Sequence, residues 1–190
     1  MRVGALSLAA GLALAGCSSG ITQSDLDDLV LAPEDVPPGL VLDQRASGPI
    51  EELGDAFRVE GGLDPNVVKG FVAGRENTYV SPGSPQPGQL GFVGSLALLF
   101  EDEHEAREFM AFSKEFQVED APVADELPAD GLGDAGYGVH YPPDREGNES
   151  YGYVWRVGTV VLTVAVGGPA GSADAAGTLS LAEIVDDRVP

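Results

Sequence analysis

Cysteine is nearly absent from this chain: Cys17 stands alone among 190 residues. With one thiol there is no internal disulfide, so a folded body must be held by its own apolar core. Lysine occurs only at Lys69 and Lys114, and histidine only at His104 and His140. Ten Lys and Arg against 31 Asp and Glu give a formal net charge of −21. Such a surface repels phosphate backbones and anionic headgroups, which argues against nucleic acid as a partner and against electrostatic membrane binding. The phosphate-binding Walker loop and the zinc motif H-E-x-x-H are both missing. The apolar run Val3 to Ala15 falls short of the about 20 residues that a spanning helix needs.

What the N-terminus does have is the order of a secretory signal: Arg2, the apolar run, then small residues. Its end, Leu14-Ala15-Gly16-Cys17, resembles the lipobox of bacterial lipoproteins. The resemblance implies cleavage between Gly16 and Cys17 and acyl chains on Cys17. It also implies a membrane partner engaged through that lipid anchor, at the extracytoplasmic face of the cell membrane. Two acyl chains hold a protein stably where one does so marginally. The other reading is a signal peptide with an incidental or buried cysteine. On the lipoprotein reading, residues 1–16 are the signal peptide and 17–22 the acylated cysteine with its tether. Residues 23–190 are then a single domain. Loss of Arg2 takes the charge from −21 to −22. The five tether residues Ser18 to Thr22 reach at most roughly 18 Å.

The remaining chain is 43% apolar in a composition typical of globular proteins. A short helix is expected over 22–31, with Thr22 or Ser24 as its cap, and a first strand over 40–44. Residues 51–57 and 64–70 are helical candidates. Phe71 to Val80 reads as a strand, and Ser81 to Gln89, with three prolines and two glycines, as a loop. The near-continuous apolar run Phe92 to Phe100 predicts a central strand. A helix is expected over 101–116, opened by Asp102 and Glu105, with Ala106, Phe109, Met110, Ser113 and Phe116 at helical spacing. Residues 118–130 read as a loop and 137–141 as a short strand. Tyr151 to Arg156 and Thr159 to Val166 form a hairpin, which Gly167 to Gly171 ends. A helix over 172–189 closes the chain. The fold class is α+β: a mostly antiparallel sheet of about five to six strands, with one strong central helix and a C-terminal helix packed on it.

Three stretches carry a further resemblance: Leu31 to Gly39 (LAPEDVPPG), Gly131 to Ala135 (GLGDA) and Val154 to Val161 (VWRVGTVV). They are similar to the "E-D-L-P-x-G" opening, the "G-L-G-D-E-A" turn and the "W-R-x-G-N-x-V" hairpin of a group of largely actinobacterial envelope proteins. That group includes secreted lipoproteins and the extracellular sensor domain of a mycobacterial serine/threonine kinase. A PsbP-like α/β/α sandwich is the neighbouring resemblance. The sensor domains carry disulfides that this chain cannot form. The resemblance brings no catalytic residues with it.

Side chains able to do chemistry are few. His104 falls in the first turn of a charged helix and is read as solvated. His140, at a strand end beside Tyr141 and two prolines, is a candidate pocket residue. Gly131, Gly133 and Gly136 satisfy G-x-G-x-x-G, but no strand leads into them, so they read as a turn. Asp144, Glu146, Asn148 and Ser150 loosely follow a calcium loop without its distal Glu, and read as a polar hairpin loop. Asp25, Asp27 and Asp28 suit a helix N-terminus. Trp155 and Arg156, strand neighbours, point to opposite faces. Arg156 would hold an anion if it opens onto a cleft, and a salt bridge if it does not. Trp155, Arg156 and His140 are thus the candidate ligand-binding residues, and no cofactor or metal is expected. The expected function is that of a non-enzymatic envelope module that binds or senses a small-molecule or lipid ligand. The alternatives are a protein-interaction module with an envelope protein partner and, more remotely, a secreted hydrolase.

Overall fold

The computed structural model describes residues 20–54, 69–119 and 123–190. Gly16 and Cys17, most of the 64–70 candidate helix, and the 51–57 candidate beyond Gly54 lie outside them. Eight strands form one sheet: β1 Val41–Leu42, β2 Gly48–Ile50, β3 Phe71–Val80, β4 Phe92–Phe100, β5 Asp125–Leu127, β6 Ala135–Tyr141, β7 Asn148–Val157 and β8 Val160–Pro169. Two α-helices accompany them, α1 Glu103–Lys114 and α2 Ala175–Asp186, and a π-helical segment, Glu115–Glu119, continues α1 into the start of the expected 118–130 loop. The strand order is β1-β3-β4-β8-β7-β6-β5, with β2 also on the outer edge of β3, and every ladder is antiparallel.

The α+β class and the antiparallel sheet agree with the sequence reading; the strand count does not. The two extra strands, β2 and β5, are three residues each and sit near or at the sheet margins. Gly48-Pro49-Ile50 and Asp125-Glu126-Leu127 are too short to show a period of two, so partner edges make them strands. The Gly167–Gly171 stop is also corrected: β8 continues to Pro169, because Gly167 pairs with Phe92 on one side and Ser150 on the other. The helix expected over 22–31 shrinks to a single 3-10 turn, Gln23–Asp25. There Asp25 turns back to accept from the Thr22 amide at 2.7 Å.

Both helices pack on the sheet. The two lie on opposite faces of the sheet. On one face α2 and the segment from Ile21 to Leu40 cover Tyr153, Trp155, Leu162, Val164 and Leu99. On the other, α1 sets Ala106 and Phe109 onto Leu98, Phe100, Val154 and Val161. Asp102 opens α1 as its N-cap, accepting from the His104 and Glu105 amides at 2.8 and 3.0 Å. Asp174 does the same for α2, accepting from Gly177.

The three family-like stretches meet at the C-terminal end of α2. Leu31 is clamped in the core by side chains: its amide donates to Ser95 Oγ at 2.9 Å, and its carbonyl accepts from Asn77 and Tyr79. Arg188 reaches the Val30 carbonyl and both oxygens of Asp35 at 2.7 Å. Asp186 accepts from the Trp155 indole at 2.8 Å and from the Gly133 amide. At Gly133 the backbone has φ +47°, and a Cβ would stand 2.5 Å from the Arg156 carbonyl, so glycine is required there. Gly158 opens the β7–β8 turn at φ +55°, the left-handed geometry that tight hairpins favour.

Candidate functional site

Helix α1 covers only half of its face. The burial of β4 records the boundary. Leu98, Leu99 and Phe100 are all buried, whereas between Phe92 and Ala97 burial alternates: Val93, Ser95 and Ala97 are buried, and Phe92, Gly94 and Leu96 are half-open. Beyond the helix the sheet is therefore bare on one side, and the ladder registers show its surface row by row.

One row crosses five strands as Thr78, Gly94, Ala165, Gly152 and Val139. Its three central residues are small. The row on the side away from α1 is Val80, Phe92, Gly167, Ser150 and Tyr141; the row nearer α1 is Glu76, Leu96, Thr163, Val154 and Tyr137. Phe92 folds over β8, where a Cβ at Gly167 would collide with its ring. Large side chains thus flank a floor of small ones, and a trough runs across the strands. Its open floor is Thr78, Gly94 and Ala165, two strand spacings or about 10 Å across, because Gly152 and Val139 are buried. Its β3–β4–β8 part, about 440 Å³, is bordered by Asp43 and Ala46. The other part, about 890 Å³, lies between Phe92, Tyr141, Pro85 and the Pro142–Arg145 turn, and the two share Val80 and Phe92.

The lining is chiefly apolar with charged residues at its borders: Asp43 and Glu76 at one end, Asp144 and Arg145 at the other. Tyr141 donates its hydroxyl to the Gln117 carbonyl at 3.1 Å, and burial pushes its pKa above the usual phenol value. Asp144 is occupied by its own turn, accepting from the Glu146 and Asn148 amides at 2.8 and 3.0 Å. Those bonds hold its carboxyl below the ordinary carboxylate range, chiefly through Asn148. Among the described residues no cluster of three metal-ligating side chains forms. None of their helices is long and apolar enough to cross a membrane.

The structure keeps the three predicted binding residues apart. Trp155 is fully buried on the face opposite the trough. Arg156 is on the trough's face but beyond its end, beside α1; its Nη1 lies 2.8 Å from the Gly158 carbonyl and 3.0 Å from Asp134. His140 pairs with Tyr151, five residues along β7 from Arg156, about 17 Å away. It stacks on the Tyr151 ring at 4.4 Å between Asp125 at 3.6 Å and Glu149 at 3.8 Å, on the face opposite the trough. His104 is exposed. The trough's own residues, Phe92, Gly94, Thr163 and Ala165, escape sequence reasoning. Their one signal is the presence of glycine and alanine inside strands otherwise rich in Val and Leu.

No family model and no curated protein matches this chain. Among solved structures it is similar to the extracellular domain of PknH from Mycobacterium tuberculosis. The TM-score is 0.60 at 16% identity, over 88% of this chain and 96% of that one. At that identity the likeness is one of fold.

Proposed function

We propose that the protein is a lipid-anchored extracytoplasmic lipoprotein whose domain binds a small amphiphilic ligand in the trough, as a non-enzymatic binding or sensing module of the cell envelope. The trough carries this reading: an apolar floor, bare on one side and walled by Phe92, Leu96 and Tyr141, has the shape and polarity of a ligand site. Its border sets the carboxylates of Asp43, Glu76 and Asp144 against the one cation Arg145, a balance that favours a neutral or cationic ligand. The likeness to a kinase's extracellular domain agrees with a module that recognises without catalysing. Leu14 to Cys17 supplies the anchor.

Native mass spectrometry of the protein purified from its own host tests the ligand. A co-purified molecule of a few hundred daltons is expected; an apo mass alone overturns the ligand and favours a protein-interaction role. For the anchor, Cys17→Ala should move the protein from the membrane fraction to the soluble one. Retention on membranes sinks the lipoprotein reading.

A further inference from the structure

On its far side, away from the trough, α1 forms a second concavity. Arg107, Met110, Ala111 and Lys114 follow one another at helical spacing and make one stripe. The stripe faces Ala135 and Tyr137 of β6 and Arg156 of β7 across a crevice of about 360 Å³. Eight Lys and Arg fall within the described residues of a chain carrying −21, and three of them line this one crevice.

Their bonding states differ. Lys114 is held by Glu126 at 2.6 Å and lies 6.0 Å over the Tyr137 ring. Arg156 is 8% exposed and gives Nη1 to Asp134 and Gly158, while its buried Nε has no hydrogen-bond partner. Arg107 is exposed and has no ion pair among the described residues. Glu126 and Asp134 thus each hold one of the three cations, and Arg107 is the one without an ion pair among the described residues. Between the cations lie Met110, Ala111 and the Tyr137 ring, an apolar wall.

From this juxtaposition we infer a second binding site, specific for a phosphomonoester that bears an apolar substituent. The phosphate lies between Arg107 and Arg156, and the substituent runs along Met110, Ala111 and Tyr137. Guanidinium groups suit a phosphate dianion because each offers a planar fork of donors. The site is independent of the trough, which prefers a different charge.

Calorimetric titration of the full chain tests it with two probes, phenyl phosphate and dihexanoyl phosphatidic acid below its micelle concentration. Saturable binding of at least one is expected. Arg107→Gln, an exposed substitution that leaves the fold intact, should weaken it by about tenfold or more. Tighter binding of the phosphatidic acid identifies a lipid headgroup as the natural source, and equal or tighter binding of phenyl phosphate a free metabolite. Gly94→Leu, which fills the trough, should leave both titrations unchanged. The inference is overturned if neither probe saturates, if Arg107→Gln binds as the wild type does, or if Gly94→Leu abolishes binding.

Discussion

Arg156 shows how one residue ties local chemistry to the fold. It leaves β7 beside Trp155, and the two side chains part to opposite faces. A guanidinium so buried needs a counter-charge, and Asp134 supplies it from the turn before β6. Asp134 also accepts the Gly158 amide at 2.9 Å, while its own amide donates to the Arg156 carbonyl. The GLGDA turn and the WRVG hairpin are therefore one unit with Asp134 at its centre. Removing one partner of a fully buried pair costs about 3–5 kcal/mol. Asp134 is half exposed, and solvent screens the pair, so Asp134→Ala should cost about 2 kcal/mol. Urea denaturation measures this; a loss below about 0.5 kcal/mol, the range of neutral surface changes, would show that Arg156 finds another partner.

Among the elements, α1 was the most legible, and the reason is local. Asp102, the apolar stripe and the charged outer face all lie within one contiguous segment, so no distant residue had to be known. Phe71–Val80 and the β7–β8 hairpin were legible for the same reason. The elements that escaped depend on partners: β2 and β5 exist because an edge accepts them, and 22–31 stays largely non-helical because Ser95, Asn77 and Tyr79 hold Leu31 from across the sheet. The trough was hidden likewise. The run Phe92–Phe100 suggests cover on both faces throughout, and only the length of α1 decides where the cover ends. Since α1 is locally encoded, its cap should matter. The Glu105 amide, and then that of His104, hold the Asp102 carboxyl below the ordinary carboxylate range. A folded-state pKa depressed in this way stabilises the helix fully above the unfolded value of about 3.9, and the gain disappears as pH falls through the lower folded value. Asp102→Ala should lower the thermal midpoint by a few degrees at pH 7, and the difference from wild type should vanish in acid. Circular dichroism melts at pH 7 and in acid check both; a difference that persists at the acid end would exclude the charge as its cause.

Across the whole molecule, the segment from Ile21 and the trough lie against opposite faces of the sheet. Gln23, Ser24 and Leu26 lie beside Gly74 and Arg75, and the trough's lining on β3 is Glu76, Thr78 and Val80. Gly74 is two residues from Glu76 and six from Val80, about 7 to 20 Å along the strand. Ile21 packs on the α2 side of the sheet, and the trough opens on the other. For the lipoprotein proposed above, a tether of at most roughly 18 Å then keeps the α2 side near the bilayer and turns the trough toward the extracytoplasmic solvent. Ligand capture should accordingly depend on the trough alone and not on the anchor. Gly94 separates the two. A Cβ there meets only Thr78 Oγ1 at 3.4 Å, an ordinary contact, so a larger side chain projects into the trough without strain. Replacing a strand glycine by a residue with a side chain also removes a backbone-entropy penalty of roughly 0.5–1 kcal/mol. Gly94→Leu should therefore stay as stable as the wild type and stay in the membrane fraction, yet yield only the apo mass when purified from its host. A variant that keeps the co-purified molecule would place the ligand elsewhere on the protein.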